Sequence, residues 1–445
     1  MNAAVLRNAV LALLLIGAAV MGWLRFEGSP PIVETPPAQL IGVGGRSVAL
    51  ELTDEGAGLR RLTVVLDHAE GAQTLLDEEY PGSWLTGAAV RETRRVELLI
   101  DPRRIEVPRG EAFLRVSVRD WSWREGFEGN ETRLDVPLEF DLDPPRIVVA
   151  TGLTYVYRGG AGAVVYSVSE PTIRDGVQVG DAFFRGFPLE GRRVAFYAVP
   201  THAAAQPAIR VVAEDAAGNP SEARWAVVMN EKGLPDVSVT LSQQFLERRV
   251  APLARAHNVD GTDLAAAFRE INETLRASDE ARIRELIADS APERLWQGAF
   301  LQMPNSKVTA RFGERRRYFV DGQPLSKATH FGFDLAATRA APIPAANAGR
   351  VVFAGDLGIY GGCVLVDHGL GLTSLYAHLS RLDVAAEQRV KRGQTLGLSG
   401  ATGLAGGDHL HFAILVGDSY VDPLEWWDPK WVRSNVDARL AAAPR

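Results

Sequence analysis

The chain of 445 residues contains a single cysteine, Cys363. One cysteine cannot form an intramolecular disulfide or supply a zinc or iron–sulfur site built from several thiolates. Any metal bound by this chain must therefore be held by nitrogen and oxygen atoms. An excess of positive charge is also missing, because 48 Lys and Arg residues against 55 Asp and Glu residues give a net charge of −7. This balance argues against nucleic acid as a partner.

Long uncharged apolar runs are scarce, and the N-terminal one covers 16 residues from Ala9 to Leu24, between Arg7 and Arg25. As a helix it would span about 24 Å, slightly less than a hydrocarbon core of about 30 Å. The run is therefore either a short membrane anchor or the apolar part of a secretion signal, and we favour an uncleaved anchor within residues 1–28. Both interpretations place the remaining chain in the cell envelope, here expected to be periplasmic and anchored in the inner membrane.

Residues 38–143 and 144–235 predict two immunoglobulin-like β-sandwich modules. Short β-branched runs alternate with clusters of Gly, Pro, Asp and Asn, as is typical of antiparallel sandwiches. The sequence from Asp215 to Asn219 resembles bacterial immunoglobulin-like repeats and has a looser counterpart between Asp120 and Asn130. The alternative is two unrelated hairpins that share turn residues. The predicted strands are Ser47–Leu52, Leu62–Leu66, Val96–Ile100, Leu114–Val118, Val164–Val168, Val194–Val199 and Ile209–Val212.

The hydrophobic period changes over residues 241–300, which predict a helical connector. Leu264, Phe268, Ile271 and Leu275 are spaced four, three and four apart and share one helical face. A second helical stretch is expected after a break at Ser278–Asp279. The apolar face predicts packing against a neighbouring domain.

Histidines gather in residues 301–434, which contain five of the eight in the chain: His330, His368, His378, His409 and His411. On a β-strand, His409 and His411 project to the same face about 7 Å apart. Four steps along a straight strand would separate His330 from Asp334 by about 13 Å, too far for two ligands of one zinc ion. Gly332 lies between them, and we expect a bend there. Two histidines and one carboxylate then leave a fourth position open, as in catalytic zinc sites.

The segment from about Arg311 to Pro423 resembles the lysostaphin-like (LytM-type) zinc metallopeptidases, which cleave peptide bonds in peptidoglycan. The resemblance implies that His330, Asp334 and His411 hold Zn²⁺ and that His378 and His409 are catalytic residues beside the metal-bound water. It covers about a quarter of the chain and leaves the sandwich region unexplained. The matching motifs, in order, are Arg311-Phe312-Gly313, His330-x-Gly332-x-Asp334, Asp367-His368-Gly369, Tyr376-Ala377-His378-Leu379, Gly393-Gln394 and His409-Leu410-His411-Phe412.

Peptide hydrolysis at neutral pH fits these residue types. Zinc lowers the pKa of a bound water towards about 7 and polarises the scissile carbonyl. Uncoordinated imidazoles with an ordinary pKa near 6.5 suit the proton transfers, so His378 and His409 can share the base, acid and oxyanion-stabilising roles. The sequence leaves their division open.

These inferences predict a multidomain, mainly β protein with an N-terminal transmembrane helix, two sandwich modules, a helical connector and a C-terminal antiparallel β-sheet metallopeptidase domain over 301–434. The expected function is that of a membrane-anchored zinc endopeptidase cutting peptide cross-links of peptidoglycan, with an envelope protein as a further partner of the sandwiches. The alternative is a catalytically silent relative that binds and activates a cell-wall amidase. The connector could also restrain the catalytic groove. Residues 435–445 are expected to be frayed.

Overall fold

The computed structural model describes residues 3–88, 93–105 and 109–441. Residues 1–2 of the expected anchor, 89–92 and 106–108 of the first expected sandwich, and 442–445 of the expected tail lie outside the described residues. The described chain is mainly β-stranded and divides into two compact units. The first contains the residues up to Pro145 together with Glu214–Pro220, and the second contains Arg146–Ala213 and the residues from Ser221 onward.

The first unit begins with the helix Ala3–Arg25. Its segment Val5–Arg25 has 21 residues, with a mean hydropathy of 2.0 and no buried share over an 18-residue window. Length and composition therefore suffice for crossing a membrane, and a secretion signal would meet the same test.

Two β-sheets follow in the first unit, and each presents one apolar face to a common core. Alternate residues such as Val48 and Leu50 on one sheet and Val64 and Val116 on the other are fully buried. This period of two is what places every second side chain on the same face of a strand. The strands of the first sheet lie in the order Ile32–Glu34, Arg46–Thr53, Arg94–Ile100. Those of the second sheet lie in the order Gln39–Ile41, Glu131–Phe140, Gly110–Asp120, Leu59–His68, Gly71–Glu79. Two elements lie outside both sheets, the short strand pair Gly82–Ser83 with Gly87–Ala88 and the turn Arg124–Phe127.

Two four-stranded sheets precede the connector, and most of their strand residues belong to the second unit. One is ordered Ile147–Val149, Ala161–Val168, Arg192–Ala198, Phe187–Leu189, and the other Ala182–Arg185, Thr172–Val179, Ile209–Asp215, Pro220–Ala223; Thr154–Tyr157 also pairs with Val227–Asn230. All seven predicted strands overlap strands of the structure.

The connector is helical over residues 243–256 and 264–287, and its predicted apolar face is buried at Phe268 and Ile271. The break expected at Ser278–Asp279 is wrong, because one helix runs through both residues. The Asp279 carboxylate is satisfied from outside the helix, where it accepts a 2.8 Å hydrogen bond from the Ile359 amide. The helical segments are Gln243–Phe245, Leu246–Val250, Ala251–Ala256, Leu264–Glu270, Ile271–Leu275 and Arg276–Ile287.

The C-terminal part of the second unit is built on a large sheet, antiparallel in every pairing of its strands. Its path is Lys307–Ala310, Phe333–Ala336, Leu410–Val416, Leu372–Leu379, Gly361–Asp367, Gly349–Leu357, Arg389–Val390, with Ser419–Val421 paired to Leu410–Val416. The strands of a second sheet lie in the order Asp236–Thr240, Glu314–Val320, Gln323–His330. Those of a third sheet lie in the order Pro342–Pro344, Thr395–Leu398, Arg381–Leu382. The short helix Gly358–Tyr360 precedes the strand Gly361–Asp367.

The parts of the second unit share one hydrophobic core. Phe196 of the strand Arg192–Ala198 contacts Trp426 at 6.0 Å between ring centroids, and Trp427 stacks on Phe412. Residues 435–441 are helical rather than frayed, because Arg439 is fixed by a 2.8 Å hydrogen bond to the Ala163 carbonyl. The C-terminal helices are Pro423–Trp427, Pro429–Val432, Arg433–Asp437 and Ala438–Ala441.

Candidate metal centre

Three side chains meet on one side of the large sheet. His330 Nε2 lies 2.9 Å from Asp334 Oδ1 and 3.0 Å from His411 Nδ1, and His411 Nδ1 lies 2.9 Å from Asp334 Oδ1. His330 and His411 are 8% and 7% exposed, so the cluster is shielded from bulk water. These are the three residues that the sequence singles out as metal ligands, and the structure brings them together.

Strand pairing creates this convergence. Asp334 and His411 are directly opposite each other on neighbouring antiparallel strands. His330 is the last residue of the strand Gln323–His330, and the chain bends before the next strand begins at Phe333. Gly332 is needed at the bend for space rather than for a left-handed backbone, because an added Cβ would lie 2.6 Å from His411 Cε1. Any side chain there would displace the His411 ring.

The protonation pattern fits a cation. The Nδ1 of His330 lies 3.0 Å from the Arg311 carbonyl, which can only accept, so Nδ1 carries the proton and Nε2 presents a lone pair. That lone pair points at His411 Nδ1 and Asp334 Oδ1. A tetrahedral zinc with bonds of about 2.0–2.1 Å separates its ligands by about 3.3 Å, close to the observed spacings. Two imidazole nitrogens and a carboxylate oxygen are a donor set suited to zinc.

His378 and His409 flank the three side chains. The His378 ring lies 4.9 Å from the His409 ring and 5.9 Å from the His411 ring, between centroids. Each donates its Nδ1–H to a carbonyl, Thr402 at 2.9 Å and Gly407 at 2.8 Å, which leaves both Nε2 atoms as acceptors. His378 also has a φ of 67°, a left-handed conformation that is costly for a non-glycine residue and typical of functional sites.

Charges at the cluster are strongly perturbed. Burial opposes ionisation of Asp334, but its contacts with His330, His409 and His411 hold the pKa of its carboxyl well below the ordinary value. Burial, together with neighbouring histidines, lowers the pKa of His378 to about 3 and that of His411 to about 4. Both rings are therefore neutral near pH 7, the form that binds a metal or accepts a proton.

A network behind the cluster, which the sequence did not reveal, links two of the three side chains. Glu314 Oε1 accepts from the Arg311 amide at 2.8 Å, and the Arg311 carbonyl is the acceptor for His330. Glu314 Oε2 accepts from Arg316 at 3.0 Å, and Arg316 Nη2 lies 3.4 Å from Asp334 Oδ2. Arg316 thus holds the outer oxygen of Asp334 and leaves Oδ1 facing the histidines. Glu314 and Arg316 are two residues apart on one strand and therefore share a face, and this spacing is the signal that could have indicated the network.

The site opens into a pocket of about 390 Å³. One wall carries the histidine cluster, and the opposite wall comes from the connector through Leu241, Phe245 and Phe268. The connector also reaches the loop beside His378, since Arg249 donates to the Ala401 carbonyl at 2.8 Å. Connector residues therefore shape the pocket and leave it volume for a ligand.

Other candidates lie apart from the cluster. His368 is fully buried and bonds the Ala348 carbonyl and Ser374 at 2.7 Å each, which is a structural role. Tyr376 is a packed aromatic whose hydroxyl accepts from the Ala346 amide. In the arginine run, Arg316 faces the site, whereas Arg315 pairs with Asp236 at 2.8 Å.

Known proteins are similar to this C-terminal part. The model of Peptidase family M23 matches residues 328–423. The chain is 38% identical over 140 residues to DD-carboxypeptidase/endopeptidase Mpg of Neisseria meningitidis, covering 32% of this chain and 31% of that protein. It is 33% identical over 131 residues to peptidoglycan DD-endopeptidase ShyB of Vibrio cholerae, covering 28% and 30%. The catalytic domain of lysostaphin from Staphylococcus simulans is 28% identical with a TM-score of 0.24, covering 28% of this chain and 92% of that one.

The chain thus spans about a third of the length of the curated relatives it matches. The matched region contains His330, Asp334, His378, His409 and His411. Residues 328–423 of this chain are a domain of peptidase family M23.

Proposed function

We propose that this protein is a membrane-anchored zinc endopeptidase that hydrolyses peptide cross-links of peptidoglycan. The observation that carries the proposal is the convergence of His330 Nε2, Asp334 Oδ1 and His411 Nδ1 within 3.0 Å of one another. His330, Asp334 and His411 would hold the ion. Zinc bound there would polarise a scissile carbonyl and lower the pKa of a coordinated water.

His378 and His409 are the proposed acid–base residues. Their Nδ1–H groups are committed to carbonyls, so both Nε2 atoms can take a proton from the attacking water or return one to the departing amine. The carbonyl bonds fix the rings as well as the tautomers. The low pKa of His378 favours its neutral, accepting form at the start of the reaction.

The pocket supports a peptide as substrate. Its polar wall carries the proposed ligands, and its apolar connector wall offers Leu241 and Phe268 to aliphatic parts of a peptide. The similarity to proteins described as peptidoglycan DD-endopeptidases supports a DD-cross-link as the bond that is cleaved.

An envelope location fits this activity. The helix Ala3–Arg25 would anchor the protein in the inner membrane, with the remaining chain in the periplasm. The strands of residues 38–143 and 144–235 would form immunoglobulin-like spacers between membrane and wall and a surface for an envelope protein partner. A tether limits how far a potentially lytic enzyme reaches.

The alternative, a silent relative that activates an amidase, is not favoured. A silent relative would be expected to lack part of the ligand set. Here both histidines, the carboxylate and two further imidazoles are present, and the pocket between them and the connector has volume.

Digestion of isolated sacculi tests the proposal. Zinc-loaded protein should release cross-link-cleaved peptides identified by mass analysis, and removal of zinc should stop the release until zinc is restored. Glycan-strand products would contradict the endopeptidase assignment. The absence of products from zinc-loaded protein would favour the activator.

A further inference from the structure

A second cluster of metal-binding side chains lies in the first unit, far along the chain from the peptidase domain. Glu27, Asp54 and Asp120 each present a carboxylate oxygen, and these oxygens all lie within 4.8 Å of one another. Glu27 follows the N-terminal helix, while Asp54 and Asp120 stand at the ends of the strands Arg46–Thr53 and Gly110–Asp120. Asp120 is fully buried, and Asp54 is 7% exposed.

Hydrogen bonds explain part of this arrangement. Asp120 accepts from the Asn130 amide and side chain at 2.8 Å each, and the same pair of bonds joins Asp215 to Asn219. These bonds close a turn and by themselves indicate no ligand. Asp54 Oδ1 similarly accepts from the Gly56 amide at 2.8 Å.

The second oxygen of Asp54 is different. Asp54 Oδ2 is buried and has no hydrogen-bond partner within the described ranges. A buried acceptor without a partner is costly and calls for a water or an ion. Burial raises the pKa of Asp54 to about 6, and the charges of Asp120 and Glu27 add to this, although the Gly56 and Gly58 amides oppose it.

Gly56 makes the approach of Glu27 possible. A Cβ at this position would collide with the Glu27 carboxylate. Glu27 therefore reaches into the turn after Asp54, where its Oε1 accepts from the Ala57 amide. Glu27 contributes one carboxylate oxygen to the cluster.

We propose that Glu27, Asp54 and Asp120 form a calcium site. Calcium takes six to eight oxygen ligands at about 2.3–2.6 Å in flexible geometry, which suits three carboxylates that converge from separate segments. Magnesium demands near-ideal octahedral geometry at about 2.0–2.1 Å and keeps several of its waters, and zinc favours nitrogen and sulfur. Waters and backbone carbonyls would complete the shell. The ion would link Glu27, just after the N-terminal helix, to the ends of two strands of the first unit.

The experiment uses the full chain in detergent, with zinc in excess so that the peptidase domain stays loaded. Calcium is titrated while thermal unfolding is recorded, and bound Tb³⁺, sensitised by tryptophans such as Trp121 next to Asp120, is displaced by calcium. Wild type should show a calcium-dependent rise in Tm with a Kd of about 10⁻⁴–10⁻³ M, as for extracellular modules. Magnesium should act more weakly.

Asp54→Asn keeps the acceptor for the Gly56 amide and should weaken calcium binding at least about tenfold, with its calcium-free Tm unchanged or higher. The matched control is Asp101→Asn, since Asp101 is 3% exposed and pairs with Arg103 in the same unit. That variant should keep the calcium-dependent rise. Should Asp54→Asn not fold, Glu27→Gln provides the same comparison. The proposal would be overturned if calcium did not raise the Tm of wild type, or if it raised the Tm of wild type and of the Asp54 or Glu27 variant equally.

Discussion

Asp334 and Asp54 are both shielded aspartates, but their neighbours are opposite in character. Asp334 faces three imidazoles and Arg316, which hold the pKa of its carboxyl well below the ordinary value. Asp54 faces the carboxylates of Glu27 and Asp120, and its pKa rises to about 6. Similar burial therefore gives opposite electrostatics, because the facing groups decide whether negative charge is compensated. The nitrogen-rich cluster suits zinc, and the oxygen-only cluster suits calcium.

The largest effect is expected where the nitrogen-rich cluster loses a ligand. His411→Ala should abolish sacculus hydrolysis and stoichiometric zinc binding, because the remaining ligands no longer enclose the ion. Zinc content and peptide release are measured together. The exposed His202→Ala serves as the control, and zinc binding equal to wild type in the His411 variant would contradict the ligand role.

A second prediction separates the imidazoles that hold the metal from those that move protons. His378→Ala should lower the rate of hydrolysis by about 10²–10⁴-fold, because a general base or acid is lost. Zinc content should stay at the wild-type level, since His378 is outside the ligand set. Joint loss of zinc and activity would instead make His378 a ligand.

The third prediction concerns the outer side of Asp334. Arg316→Gln should weaken zinc affinity by about 10–100-fold, the usual effect of removing a partner that orients a ligand. Arg316→Lys should recover part of the lost zinc affinity. Arg317 is exposed on the next position of the strand, and Arg317→Gln should leave affinity unchanged. Competition with a chromophoric chelator measures affinity, and equal values for both glutamine variants would refute the positioning role.

The last prediction concerns stability rather than activity, and a third buried acid with mixed neighbours. Burial and Asp422 raise the pKa of Glu425 to about 8, although the Ala161 amide, Lys232 and Tyr157 oppose this. The unfolded chain therefore gives up this proton first as pH rises, so the free energy of unfolding falls between about pH 4.5 and about pH 8. At about 1.4 kcal/mol per pKa unit, the loss amounts to several kcal/mol.

Glu425→Gln removes this titration. Its Tm relative to wild type should rise from pH 5 to pH 9, whereas exposed Glu387→Gln should show no such trend. A pH-independent difference between Glu425→Gln and wild type would mean that the pKa of Glu425 is not raised by folding.

The five histidine-cluster residues could be predicted because each lies in a short motif whose spacing carries the chemistry. The network of Glu314 and Arg316 was missed, because an arginine run usually lies in solvent and only strand pairing turns one member towards Asp334. The expected break at Ser278–Asp279 failed for a related reason. A partner amide at Ile359, remote in sequence, satisfies Asp279 within a continuous helix.

The sequence by itself determined the apolar N-terminal helix, most strand positions and the residue types at the candidate zinc site, since these depend on local period and spacing. Tertiary structure decided which atoms meet: Asp334 opposite His411 through strand register, the connector as a pocket wall, and Glu27 beside Asp54 and Asp120. The physical reason is that contacts between distant segments depend on how strands pair and how close backbones approach, as at Gly332 and Gly56.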